Sequence, residues 1–200
     1  MKRIGVLAVQ GAFVEHISAL RQLGAEAVPI RRVEELHGIS GLVIPGGEST
    51  TICKLMREYS LVEEVGKLIA KGLPVLGTCA GMILLAKEIL GPNEHSLKAM
   101  NIKVRRNAFG RQVDSFEADL DIPALGHPPF RAVFIRAPWI ERLGAGVQVL
   151  ASLPDGTPVA ARQGNLLATA FHPELTADLR FHEYFLSIVN GSSQANAGEV

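Results

Sequence analysis

The stretch Leu73-Pro-Val-Leu-Gly77-Thr78-Cys79-Ala80-Gly81-Met82 constrains this chain more than any other. A short apolar run, Leu73–Gly77, reads as a buried strand. It meets Gly-x-Cys-x-Gly and continues into Met82–Ile89, which reads as a helix apolar on nearly every side. A residue at so sharp a strand-to-helix turn sits in strained backbone, and the chain closes around it only if its neighbours lack bulky side chains. Gly77 and Gly81 supply that room. The turn also sets the Cys79 sulfur at a helix N-terminus, where unpaired N–H groups and the helix dipole favour thiolate over thiol. The Ala80 N–H then faces the position where an oxyanion would form. Cys53, in Thr51-Ile-Cys-Lys-Leu55, has no glycine frame and is read as a core residue.

The rest of the chain repeats the strand-then-helix rhythm of βαβ units around a parallel sheet. Ile4–Val9, Ala27–Ile30 and Gly41–Ile44 read as strands, and Val14–Leu23, Ile52–Tyr59 and Leu61–Ala70 as helices. Pro45-Gly-Gly47 ends the third strand, and Ser49 or Thr50 is suited to cap the helix behind it. From Ile102 the texture turns strand-rich, with runs at Ile102–Val104, Ala132–Ile135, Gln148–Ala151, Val159–Arg162 and Leu166–Phe171. A helix from Thr176 to Val189 closes the pattern. The expected fold is α/β: a single domain over residues 1–190, with a mostly parallel central sheet and helices on both faces, flavodoxin-like. Residues 191–200 read as a disordered tail with almost nothing to bury.

Composition narrows the function. Hydrophobic residues make up 48% of the 200, enough for a full core, and Lys+Arg and Asp+Glu, 20 each, cancel. A nucleic-acid binder normally carries a basic surplus, so no nucleic-acid partner is expected. No apolar run reaches membrane length, which predicts no membrane association. The two cysteines form no disulfide framework, and no Cys/His cluster has zinc-ligand spacing, so no metal is expected and a reducing cytoplasm is.

A thiol nucleophile needs a histidine to take its proton, and the histidine needs an acid to fix its tautomer and tilt. Of six histidines, His16, His37, His95, His127 and His182 are read as surface or packing residues. His172 differs, because it follows the strand ending at Phe171 in the run Phe171-His-Pro-Glu174. Residues i and i+2 of an extended segment share a face, which puts Glu174 beside His172, and Pro173 stiffens the link. The strand delivers His172 to the sheet's C-terminal edge, where α/β folds place their sites.

Gly77-Thr-Cys79-Ala-Gly81 followed by His172-Pro-Glu174 resembles the class I, triad-type glutamine amidotransferases. Gly5-Val-Leu-Ala-Val-Gln10-Gly-Ala12, Pro45-Gly-Gly-Glu-Ser-Thr50, Arg106-Asn-Ala-Phe-Gly-Arg-Gln112, Asp114-Ser-Phe-Glu117 and Phe134-Ile-Arg-Ala-Pro138 narrow the resemblance. They look like the glutaminase subunits of pyridoxal 5′-phosphate synthase, over roughly Ile4 to Val189. The resemblance implies hydrolysis of L-glutamine through a γ-glutamyl thioester on Cys79, with His172 and Glu174 completing the triad. It implies oxyanion donors at Gly47 and Ala80, and glutamine contacts at Gly47, Glu48, Ser49, Arg106, Ile135 and Arg136. It also implies a separate synthase subunit as partner, ammonia as the product handed over, and no cofactor.

The chemistry of these residues agrees. Free glutamine carries an α-carboxylate and an α-ammonium, tasks that suit Arg106 and Glu48, and the Ile135-Arg136 backbone suits either. Pro45-Gly-Gly-Glu-Ser-Thr50 is no phosphate loop, because it lacks the lysine such a loop carries before its Ser/Thr. Two alternatives remain open from the residues alone: a stand-alone cysteine peptidase or γ-glutamyl hydrolase, and a binding module without chemistry. The intact Cys79, His172 and Glu174 argue against the second.

Overall fold

The computed structural model describes residues 1–91, 96–106 and 115–195, the last four without their side chains. Strands β1 (Arg3–Leu7), β2 (Glu26–Ile30), β3 (Gly41–Ile44) and β4 (Val75–Thr78) alternate with helices α1 (Phe13–Gln22), α2 (Ser49–Glu58) and α3 (Leu61–Ala70). After α4 (Ala80–Leu85) come β5 (Ala86–Leu90), β6 (Met100–Arg105), β7 (Ser115–Leu120), β8 (Phe130–Ile135) and β9 (Trp139–Leu143). Then β10 (Gln148–Ser152), β11 (Pro158–Gln163) and β12 (Leu166–Thr169) precede α5 (Arg180–Ala195).

The main sheet has seven strands in the order β10-β11-β12-β4-β3-β1-β2. β12, β4, β3, β1 and β2 run parallel, and β11 returns antiparallel between β10 and β12. β5-β6-β9 and the β7–β8 hairpin form two smaller sheets. β3, β4 and β12 are buried along their whole length, as strands covered on both faces must be. A Cβ on Gly41 would touch Phe185 and Val189 of α5, and a Cβ on Gly77 would touch Leu85 of α4. Gly77 pairs with Ile44, three residues on from Gly41 and so on the opposite face of the sheet. Helices therefore cover both faces, and the α/β reading stands.

The chain departs from the sequence expectation where tertiary partners intervene. The helix expected over Met82–Ile89 stops at Leu85, and Ala86 onward is strand β5. The Leu84 and Leu85 carbonyls, which another helical turn would use, accept instead from the amides of Leu97 and Ala99. An all-apolar run carries no period to separate helix from buried strand. The last helix starts at Arg180 rather than Thr176. Pro173–Leu175 is a 3-10 turn, Thr176 Oγ1 accepts from Asp178 N, and Asp178 accepts from the Arg180 amide. The same helix continues to Ala195, past the expected end at Val189, because extending an anchored helix is cheap once its nucleus exists. β7 and β9 were not anticipated, and β12 ends at Thr169 rather than Phe171. The cap of α2 is Glu48, not Ser49 or Thr50. His95, Asp114 and the stretch 107–112 of the Arg106 motif lie outside the described residues. Among the described residues no helix is long and apolar enough to cross a membrane.

The close approaches around β4 generate a stability prediction. A Cβ on Gly81 would drive into the carbonyl oxygen of Ile44, a backbone atom of the neighbouring strand. Gly66, inside α3, has nothing within 4 Å of its Cβ position. Gly81→Ala is expected to destabilise by about 3 kcal/mol or more, since backbone must move. Gly66→Ala is expected to stabilise by about 0.5–1 kcal/mol through helix propensity. Urea unfolding of the two variants checks both signs.

Candidate active site

Parallel strands end together, so the C-terminal edge of the sheet gathers four loops. β3 runs into Pro45-Gly-Gly47, β4 into Cys79, β1 into Gln10-Gly-Ala12, and β12 is followed by His172. Cys79 adopts φ 49° and ψ −101°, a left-handed conformation costly for a side-chain-bearing residue. It is held there from both sides. Its amide donates to Thr169 O at 2.8 Å, and its carbonyl accepts from Ile83 at 3.3 Å to open α4. A Cβ on Gly77 would lie 2.6 Å from Gly81 backbone, so the turn exists only with glycine there.

His172 is placed by packing and by one backbone bond. Phe171 stacks edge-on against Phe134 and Phe181, with centroids 5.7 and 5.5 Å away, and the His172 amide donates to Val133 O at 2.8 Å. Its Nδ1 lies 2.7 Å from Glu174 Oε1, and its other nitrogen is left to hydrogen-bond Cys79. The structure thus brings Cys79, His172 and Glu174 into one line. Burial disfavours a charged His172, but the hydrogen bonds to Cys79 and Glu174 and the Glu174 charge outweigh it, raising its pKa to about 10. The Glu174 carboxyl is fully buried, which by itself would raise its pKa. The neighbouring His16 and the His172 hydrogen bond hold it below the usual carboxylate range.

A cleft of about 510 Å³ opens in front of this line. Gly47, Glu48, Ser49, Cys79, Ala80, Arg106, Ile135, Arg136 and His172 all border it, so every residue singled out from the sequence meets here except the buried Glu174 behind His172. The Cys79 sulfur is 3.9 Å from Ile135 O, and Arg136 has φ 43°. Glu48 does two jobs at once. Its carboxylate accepts from the amides of Thr50 (3.2 Å) and Thr51 (2.6 Å) and from the Thr51 hydroxyl, capping α2. The Thr51 hydroxyl leads the interactions that pull its pKa down to about 2.

Four residues were not assigned to the site from the sequence, although Gln10 and Thr78 stand inside the motifs that carry the resemblance. Gln10 borders the cleft, and its Oε1 accepts from the Glu48 amide at 2.9 Å. Thr78 Oγ1 accepts from the Gly46 amide at 3.1 Å. His16, read as packing or surface, is fully buried, its Nε2 3.1 Å from Thr78 Oγ1 and 3.3 Å from Glu174 Oε2. Its Nδ1 is 2.9 Å from Nε2 of the equally buried His182. Contacts between helices about 166 positions apart in the chain leave no local pattern to read. Among the described residues no group of His, Cys, Asp or Glu could hold a metal ion.

Comparison with known proteins agrees with this geometry. Residues 6–190 match the model of the SNO glutamine amidotransferase family, and the chain belongs to that family. Its sequence relatives are more particular. The pyridoxal 5′-phosphate synthase subunit PdxT of Moorella thermoacetica is 62% identical, covering 94% of this chain and 99% of the relative. The PdxT subunit of Pelotomaculum thermopropionicum is 63% identical over 92% of this chain and 93% of its own. A crystal structure of glutamine amidotransferase superposes with TM-score 0.89 at 54% identity, covering 94% of this chain and 98% of that one. PurLQS from Thermotoga maritima shares the fold, with TM-score 0.70 at 15% identity over 93% of this chain and 98% of that one.

The two buried imidazoles make stability sensitive to acid. Burial is the main cause lowering both, His182 to about 3. The unfolded chain therefore takes up protons that the folded chain refuses. The contribution of these two groups is complete above about pH 7.5 and drains as pH falls through 6.5 towards the folded values, reaching about 1.4 kcal/mol per pH unit for each group near pH 5.5. His172, raised rather than lowered, acts in the opposite sense, its contribution complete about a pH unit below 6.5 and fading as pH climbs towards 10. It partly offsets the slope near pH 6.5 and adds none near pH 5. Urea midpoints between pH 6.5 and 5 are expected to fall in wild type, approaching the slope of two protons near pH 5, and there about half as steeply in His182→Gln.

Proposed function

We propose that the chain is the glutaminase subunit of a pyridoxal 5′-phosphate synthase, working in the cytoplasm and handing ammonia to a separate synthase subunit. The observation that carries the reading is the line Cys79–His172–Glu174 opening on a cleft sized for one small zwitterion. The PdxT relatives, similar over nearly their whole length, support the particular pathway.

L-glutamine enters with its α-carboxylate towards Arg106 and its α-ammonium towards Glu48, whose carboxylate stays ionised. Ser49, Ile135 and Arg136 border the same space and fix the substrate's depth. The Cys79 sulfur, its proton passed to His172, attacks the side-chain amide carbon, and the oxyanion so formed meets the N–H groups of Ala80 and Gly47. His172, held in one tautomer by Glu174, gives its proton to the departing ammonia, leaving a γ-glutamyl thioester. Water then attacks the thioester while His172 takes the proton back, and glutamate leaves.

Cys79→Ala is expected to abolish glutamine hydrolysis with the fold intact, because it removes the bond-forming atom and little volume. A glutamine-analogue electrophile is expected to label the wild type on Cys79, read by mass spectrometry. Labelling mainly on Cys53 would overturn the assignment.

The Gly46-Gly47 peptide is built as a switch. The Gly46 carbonyl accepts from the Ala12 amide at 3.0 Å, so the oxyanion turn is tied to the lead-in of α1. In a trans peptide the Gly47 N–H points opposite to that carbonyl, and glycine turns such a peptide over at little steric cost. A partner docking near α1 would thereby set the second oxyanion donor. One such donor is worth about a hundred- to a thousandfold in turnover. The isolated chain is expected to be a weak glutaminase, stimulated by about that factor when the synthase subunit is added. Equal turnover with and without the partner would remove the switch and leave the chemistry standing.

A further inference from the structure

Glu174 uses only one of its oxygens on His172. The other, Oε2, is fully buried and has no partner in hydrogen-bond geometry among the described residues, except that His16 Nε2 lies 3.3 Å from it. The same His16 nitrogen is 3.1 Å from Thr78 Oγ1, and that oxygen accepts from the Gly46 amide at 3.1 Å. On its far side, His16 Nδ1 sits 2.9 Å from His182 Nε2. One imidazole on α1 therefore touches the acid behind the catalytic histidine and the hydroxyl that holds the glycine turn.

The proton positions follow from the charges. A carboxylate oxygen 3.3 Å from a bare nitrogen lone pair would be repelled, so Nε2 of His16 carries the hydrogen. Its Nδ1 is then an acceptor and must receive the Nε2–H of His182. That arrangement leaves His182 Nδ1 as a bare lone pair, which matches its lack of any partner among the described residues. The groups facing His16 are Glu174 and His172 from the site, His182 from α5, and Glu15 from its own helix. Only neutral His16 keeps both an acceptor for His182 and a donor for Glu174, and burial, the main influence on it, favours that form.

We propose that His16 is a positioning residue of the glutaminase centre, sharing its Nε2–H between Glu174 and Thr78 so that one side chain of α1 orients both the triad acid and the Gly46 turn. The inference rests on the glutaminase reading above. His182 is the tautomer-setting partner. Because Ala12, the residue that leads into α1, donates to the Gly46 carbonyl, the start of the helix touches the turn directly at its C=O and, through His16 and Thr78, at its N–H.

The test uses the complete complex with the synthase subunit and measures ammonia release across pH. His16→Leu removes the donor from Glu174. It is expected to lower kcat by about ten- to a hundredfold with KM little changed. The acid limb of kcat/KM should move up by about one pH unit, because Glu174 then holds its charge less firmly. His16→Gln, which returns an N–H near the Nε2 position, is expected to recover most of the rate and the wild-type limb. In a Glu174→Gln background the added His16→Leu should cost clearly less than in the wild type, because the share that serves the charge is gone and only the Thr78 contact remains to be lost. Should His16→Leu not fold, His182→Leu carries the test, since it leaves the contacts to Glu174 and Thr78 in place. It is expected to move the acid limb the same way by a smaller amount. Losses that add fully with Glu174→Gln, or an acid limb unmoved in every folded variant, would reduce His16 to packing and overturn the proposal. A wild-type complex that releases no ammonia would instead overturn the glutaminase reading, and the role of His16 with it.

Discussion

Everything at the C-terminal edge of the sheet depends on how closely α4 presses against β3. The Ile44 carbonyl occupies the place where Gly81 would carry a side chain, so α4 can begin directly at the end of β4. That proximity bends the chain sharply enough to put Cys79 at positive φ with its sulfur outward. The conformation would relax in an isolated peptide. Here β4 is clamped between β3 and β12, with Gly77 paired to both Ile44 and Ala168 and Thr78 paired to Thr169. Neighbouring strands thus over-determine a backbone angle that the residue itself disfavours. The strain is stored where the Cys79 side chain meets the cleft.

A second constraint is the buried charge of Glu174. Removing a carboxylate from water costs several kcal/mol unless donors replace the lost hydration. His172 replaces part of it from the same 3-10 turn, and His16 approaches from α1. His182, on α5, meets His16 rather than the carboxylate itself, so α5 reaches the acid only through α1. The acid is therefore held by the fold as a whole rather than by its own loop. The same burial that makes the pair His16–His182 neutral also makes the folded state sensitive to acid, so stability and site geometry share a cause.

The rim of the cleft shows how few groups are needed once they are shared. Glu48 caps α2 with the carboxylate it presents to the cleft, which fixes its rotamer and its charge together. Gln10 holds the Glu48 amide, and Ala12 and Thr78 hold the two polar groups of Gly46. Three polar groups of the turn are thus answered from the segment between β1 and α1 and from β4. A cleft built this way binds through fixed N–H groups and charges, which suits a small zwitterion better than an extended peptide.

Much of this was legible in the chain itself. Gly-x-Cys-x-Gly between an apolar strand and an apolar helix has few physical solutions, and His-Pro-Glu after a buried strand places an acid beside a base by the period of two alone. Local rules of this kind read strands β1 to β4, helices α1 to α3 and the set Cys79, His172 and Glu174, whereas Gly47, Glu48, Ser49, Arg106, Ile135 and Arg136 were indicated by the family resemblance. Where a run was apolar throughout, as in Met82–Ile89, the period disappeared, and only the amides of Leu97 and Ala99 decided where helix stopped and strand began. His16 and His182 looked like ordinary helix residues, because nothing in their neighbourhoods along the chain records which side chain they meet. A motif within ten residues is written in local geometry. A hydrogen bond between α1 and α5 exists only after the sheet has brought the two helices to the same face.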